Sequence, residues 1–133
     1  MFRVFSKERN SFVYSDDYDV EFIFSRNGGL QVFDNSSIHG PNIIAHEGLD
    51  ICTGLIDSDG LKIFQNDIVA WKDKYLSNSF RATVKYGYYE INGELRIGFY
   101  HLIHDEIFEI VFPDNIKIIG NVYTDELKGV DWE

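Results

Sequence analysis

The side chains in this sequence that could do chemistry are the aspartates Asp57, Asp59 and Asp67, the histidines His39, His46, His101 and His104, and a single thiol, Cys52. Carboxylates two residues apart are common oxygen ligands for calcium or magnesium. An EF-hand loop, however, needs glycine at its sixth position and Glu at its twelfth, and here Gly60 falls at the fourth position counted from Asp57. Spacing therefore favours a turn over residues 57–60, in which Asp side chains accept bonds from nearby backbone N–H groups and Gly60 takes a left-handed conformation. His101 and His104 lie three apart, which puts them on opposite faces of a strand and makes joint ligation awkward. His39 and His46 sit in an aperiodic stretch where a solvated or singly bonded imidazole is the simpler reading. No metal and no cofactor is expected.

Covalent catalysis finds equally little to work with. No Ser-His-Asp set with a recognisable nucleophile turn is present, and Cys52 has neither an identifiable base nor a second cysteine for a disulfide or thiolate site. A buried, inert thiol is the expectation. Asn27-Gly28-Gly29 is too short to cradle a phosphate and precedes a strand rather than a helix. The sequon at Asn35-Ser36-Ser37 would matter only in a secreted protein. No residue is assigned a catalytic role.

Strands must position these residues. Apolar and aromatic residues come in short runs separated by Gly, Asn and Asp clusters, so a mainly β fold with little helix follows. Residues 2–5 and 12–14 read as one hairpin. Residues 20–25 and 30–33, flanking Arg26-Asn27-Gly28-Gly29, read as a second. Residues 34–47 lose periodicity and read as a long loop.

The strongest local signal is Asn92-Gly93 between two aromatic-rich runs. With these two as the turn, Ile91 faces Glu94, Tyr88 faces Ile97 and Tyr86 faces Phe99. That register puts Val84, Tyr86, Tyr88, Leu95, Ile97 and Phe99 on one apolar face, expected to pack into the core. The other face takes Lys85, Tyr89, Arg96 and Tyr100, with Arg96 placed for a cation–π contact with Tyr89. Gly87 falls opposite Gly98, which leaves either a bend in a barrel strand or a docking notch. A strand-turn-strand pattern around Pro113-Asp114-Asn115 follows, then a short helical turn with Thr124 as its N-cap and Asp125 and Glu126 at its positive end.

Length and composition set the frame. A chain of 133 residues, 44% hydrophobic and 16% aromatic, supports one folded domain without disulfides. It divides into N-terminal hairpins and loop (1–46), a central barrel-like region (47–123) and a short C-terminal turn (124–133). There is no apolar run of membrane-spanning length and no signal-peptide pattern at the start, so a cytoplasmic protein without membrane association is expected. With 22 acidic against 12 basic residues the net charge is −10. Such a balance disfavours sequence-independent binding of nucleic acid, which draws on clustered Lys and Arg.

Two stretches carry a family resemblance. Residues 52–69 read CTGLIDSDGLKIFQNDIV and residues 118–123 read IIGNVY, while the opening reads FRVFSKERNSFVY. These are similar to the T-G-L-x-D-x-x-G and I-Y-x-x-D-I-V segments, the V-I-G-N-I-Y segment and the F-R-x-W opening of the YopX family. The positions that carry the match are Thr53, Gly54, Leu55, Asp57, Gly60, Asp67, Ile68, Val69, Ile119, Gly120, Asn121 and Tyr123. Phe5 stands where the family usually has Trp, Phe64 where it has Tyr, and Gln65-Asn66 where Glu-Gly is common. A role for a Tyr hydroxyl at position 64 therefore does not carry over. The resemblance implies a β-rich fold with a small SH3-like barrel element, a phage or prophage origin, and no established activity.

Physically, the matching residues read as a structural device, two tight turns linking three short strands. Gly120 is expected at a bulge or close approach, and Asn121 is expected to bond adjacent main chain. The functional expectation is a non-catalytic phage accessory protein in the host cytoplasm, binding a host or phage protein or assembling into a homo-oligomer. Tyr89 and Tyr100, turned away from the core, suit such an interface. The competing expectation is a metal-dependent enzyme or small-ligand binder using the turn carboxylates or loop histidines.

Overall fold

The computed structural model describes residues 1–73, 75, 78–109, 113–124 and 126–129. Every regular element among them is a strand. The backbone forms two compact units, residues 1–51 and 52–133.

In the first unit, β1 (Phe2–Ser6) and β2 (Ser11–Tyr14) form an antiparallel hairpin with Arg3 opposite Tyr14 and Phe5 opposite Phe12. The other edge of β1 pairs with the first half of β6 (Glu47–Ile56), Arg3 facing Asp50. A separate sheet is built from β3 (Val20–Phe24), β4 (Leu30–Asp34) and the short β5 (Asn42–Ile43), in that order. Both expected hairpins are present. Alternation of side chains sends Val4, Val13 and Val32 into a buried cluster with Ile44, which Phe22, Leu30 and Leu49 pack against. The expected loop at 34–47 thus contributes Ile44 to a core.

The second unit begins within β6, where Cys52 pairs with Phe64 and Ile56 with Lys62 of β7 (Lys62–Phe64). Its main sheet has five antiparallel strands, ordered β11-β10-β9-β8-β12. They are β8 (Asp67–Lys72), β9 (Ser79–Ile91), β10 (Glu94–Ile103), β11 (Glu106–Glu109) and β12 (Lys117–Asn121). The strands flanking Pro113 are therefore not neighbours. They occupy the two edges of the sheet, since β10 captures β11 through a tight turn at His104-Asp105 and β8 captures β12. The core gathers Ile63, Val69, Ala82, Val84 and Ile116, with Trp71, Phe99, Ile103 and Ile118 against it.

Among the described residues, no helical turn follows Tyr123. Asn121 Oδ1 instead accepts bonds from the N–H groups of Tyr123 (2.9 Å) and Thr124 (3.1 Å), which closes a turn there. Asp125, part of the expected turn, lies outside the described residues.

Candidate functional site

Two aspartates of the central motif, Asp57 and Asp67, are committed to the backbone. Asp57, 4% exposed, accepts bonds at Oδ1 from the N–H groups of Asp59 and Leu61, both 2.9 Å, which shape the turn between β6 and β7. Its Oδ2 accepts a bond from Ile118 N–H at 3.1 Å, so the same carboxylate ties that turn to β12. Asp67 is also buried and accepts from Phe64 N–H at 2.8 Å. Asp59 turns outward, with Lys117 Nζ at 3.7 Å. Thr53 donates to Ile63 C=O (2.8 Å) and accepts from Leu55 N–H (3.1 Å), holding β6 against β7. Asn66, at a positive φ of 70°, donates to the Tyr123 hydroxyl (3.2 Å) and accepts from Lys85 Nζ (2.9 Å). Among the described residues, no three His, Cys, Asp or Glu side chains cluster in a way that would hold a metal ion.

The histidines do not form a set. His101 is 1% exposed in the second unit, its ring centroid 5.1 Å from Trp71, and burial pushes its pKa down to about 4. His104 is exposed in the β10–β11 turn with φ 47°. In the first unit, half-buried His46 has its Nδ1 3.3 Å from Ile44 C=O, and His39 is exposed. Cys52, expected to be buried, is only partly so, and Gly54 N–H approaches its Sγ at 3.5 Å.

The opening motif has a role that composition did not disclose. Arg3 Nε donates to Asp50 Oδ2 at 3.0 Å with both residues buried, and the guanidinium carbon lies 3.8 Å from the centroid of the Phe12 ring. Phe12 in turn meets Phe5 edge-on at 5.3 Å. A buried Arg is tolerable only when paired and stacked. The available sequence signal was an Arg alternating with core aromatics on β1. At the surface of the same unit, Asp34 accepts bonds from the hydroxyl and N–H of Ser36 and from Arg9, and these hold its carboxyl down to about 2.

Two features of the second unit present surface for recognition. One is a groove of about 820 Å³ on the reverse face of the main sheet, floored by Ile68, Ala70 and Leu102 and bounded by Arg81, Thr83, His104, Leu127 and Lys128. The other is the β9–β10 hairpin. Its register is as the sequence predicts: Ile91 faces Glu94, Tyr88 faces Ile97, Gly87 faces Gly98 and Tyr86 faces Phe99. Packing is not. Val84 is fully buried and Phe99 partly so, but Tyr86 is 40%, Ile97 60%, Leu95 73% and Tyr88 74% exposed. The reason is length: among the described residues, β8 pairs with β9 only over Ser79–Thr83, and β11 with β10 only over Tyr100–Ile103. Beyond those pairings the two strands run on as an arm.

On the arm's opposite face, Tyr89 and Tyr100 meet at 5.0 Å, and Arg96 binds Glu94 and Glu109 in place of the expected stacking on Tyr89. These bonds, Glu94 first, raise the Arg96 pKa. Gly87 and Gly98 take φ of 150° and 149°, values that side-chain-bearing residues avoid, and open space lies where their Cβ atoms would be.

Fold and motif geometry together define the class of protein, a mainly β YopX-type chain. It belongs to the YopX family, whose model, described as YopX protein, matches residues 1–127. Two solved structures share the fold. Protein yopX from Bacillus subtilis is 19% identical, with a TM-score of 0.66 over 96% of this chain and 97% of that one. Protein EF1440 from Enterococcus faecalis is 18% identical, with a TM-score of 0.53 over 92% of each chain. No curated protein matches the chain.

Proposed function

We propose that this chain is a phage or prophage accessory protein that works in the cytoplasm of a bacterial host as a non-catalytic protein-binding or self-assembling module. The observation that carries the reading is the β9–β10 arm, which holds large apolar side chains in solvent on a register-locked ribbon. Contiguous exposed apolar surface rimmed by polar residues is the usual mark of a protein contact. In this reading Thr53, Asp57, Asp67 and Asn121 serve the backbone and take no part in chemistry, as their bonds to main-chain groups support.

The test is affinity capture from host lysate on immobilised protein, run beside an Ile97→Glu variant. Retention of a protein by the parent chain but not the variant, or self-association abolished by the variant, is the expected result. Equal behaviour of the two would reject the arm as the contact surface.

The reverse-face groove favours a second reading, a small-ligand site. Its described lining includes the cations Arg81 and Lys128 and no carboxylate, in a chain of net charge −10. An amphipathic anion fits that lining. Thermal-shift screening of such compounds against the parent and an Arg81→Ala variant tests it.

A further inference from the structure

We infer that the apolar ladder of the β9–β10 arm is a homodimer interface, in which the arms of two copies pack ladder face to ladder face about a twofold axis. The inference rests on the module reading above and supplies the identity of the partner, a second copy of this chain.

The argument starts from what a two-stranded ribbon lacks. A hairpin without a third strand or a covering layer is marginal in water. Among the described residues the arm has no third strand: none pairs with β9 beyond Thr83 or with β10 before Tyr100 except the other half of the hairpin. Its apolar face continues the core face of the sheet, since Tyr86, Tyr88, Ile97 and Phe99 share the side of His101 and Val84, and Phe108 of β11, opposite His101, extends it. Tyr86 and Phe99 already meet edge-on at 4.8 Å. The surface is thus shaped like the interior of a fold that stops short of its second layer.

Two observations select a second copy over a transient partner. First, chemistry: among the cross-strand pairs from Tyr86–Phe99 to Leu95–Glu90, the only charge on this face is Glu90 at the tip. Depletion of charge at the centre of a contact marks permanent interfaces, which resemble a domain core cut in half. Second, area: taking about 200 Å² for each ring and somewhat less for each aliphatic chain, the exposed fractions of Tyr86, Tyr88, Leu95, Ile97 and Phe108 sum to roughly 500 Å² per copy. The arm's edges and backbone add to this, which approaches the ~800 Å² per partner of a standard interface. A single patch that meets its own copy closes on itself under twofold symmetry without leaving an open end.

The experiment is mass measurement by light scattering and sedimentation on the full chain, from micromolar to millimolar concentration. The expected result is twice the 15.4 kDa chain mass for the parent. Ile97→Glu and, separately, Leu95→Lys should weaken association at least tenfold, while Glu94→Gln on the opposite face should leave it unchanged. Circular dichroism of each variant confirms that it folds; both ladder positions are solvent-exposed, and the two variants guard against failure of either. A parent mass of 15.4 kDa throughout overturns the inference. So does an oligomer that neither ladder variant disturbs. If the parent is monomeric yet captures another protein through Ile97, the dimer is wrong and the module reading stands.

Discussion

At the scale of single residues, Asp57 shows how a side chain that looks chemical becomes structural. Its turn role is readable locally, from Asp and Gly spacing. Its bond to Ile118 N–H is not, because the partner lies 61 positions away in sequence. Asp57→Ala should strip acceptors from three backbone N–H groups and cost about 2–4 kcal/mol of stability, measurable by urea unfolding. Loss of less than about 0.5 kcal/mol, the range of ordinary surface substitutions, would mean that solvent replaces those bonds freely.

His101 yields a pH dependence with a definite sign. Its folded pKa of about 4 lies below the 6.5 of an unfolded chain, so between these values the unfolded state binds more protons. Stability from its neutral burial is complete above about pH 6.5 and is lost as pH falls toward 4, by on the order of 3 kcal/mol. A His101→Leu variant should lose this part of the acid dependence, seen as a shallower fall of melting temperature over that window. Parallel curves for the two proteins would rule it out.

Elements tell a different story, since local register was legible and lateral support was not. Asn92-Gly93 fixes the β9–β10 register because a two-residue loop with both residues at positive φ allows one pairing. Nothing in the same residues reveals how little of the hairpin the described parts of β8 and β11 flank, and so the ladder expected in the core stands in solvent. Likewise β11 and β12 looked adjacent in sequence but lie at opposite edges, a consequence of which neighbours they find across the sheet.

Gly120 belongs to this scale. The β8–β12 pairing shifts register between Ile118 and Gly120, and a Cβ there would stand 2.7 Å from Leu127 Cδ2 and 2.9 Å from Glu126 C=O. Lys128 N–H bonds Ile119 C=O at 2.7 Å, fixing that segment against the strand. Gly120→Ala should therefore cost about 1–3 kcal/mol and displace residues 126–128, visible as altered amide shifts there. A neutral result would show that the segment yields at no cost.

For the whole molecule, composition spoke to class and charge more than to partner. The strand-rich fold and the family followed from the residues. Division into units at residues 51 and 52 did not, because the boundary falls inside β6, with no Pro, Gly or Ser tract to mark it. A net charge of −10 leaves few cations for phosphate contacts, so gel-shift assays at micromolar protein and physiological salt should show no binding of non-specific duplex DNA. A retarded band under those conditions would mean that local clustering of Lys and Arg outweighs the total.

The unequal lengths of the strands also bear on how the molecule opens and closes over time. Amides at the root of β9, flanked by β8 and β10, should exchange with solvent only when the sheet itself opens, whereas those beyond Thr83 are held by one neighbouring strand and can be released by fraying from the Asn92-Gly93 tip. Dilution should accelerate exchange in the tip and leave the root untouched. The gradient along a single strand would then serve as an internal clock for association, with the root as its reference.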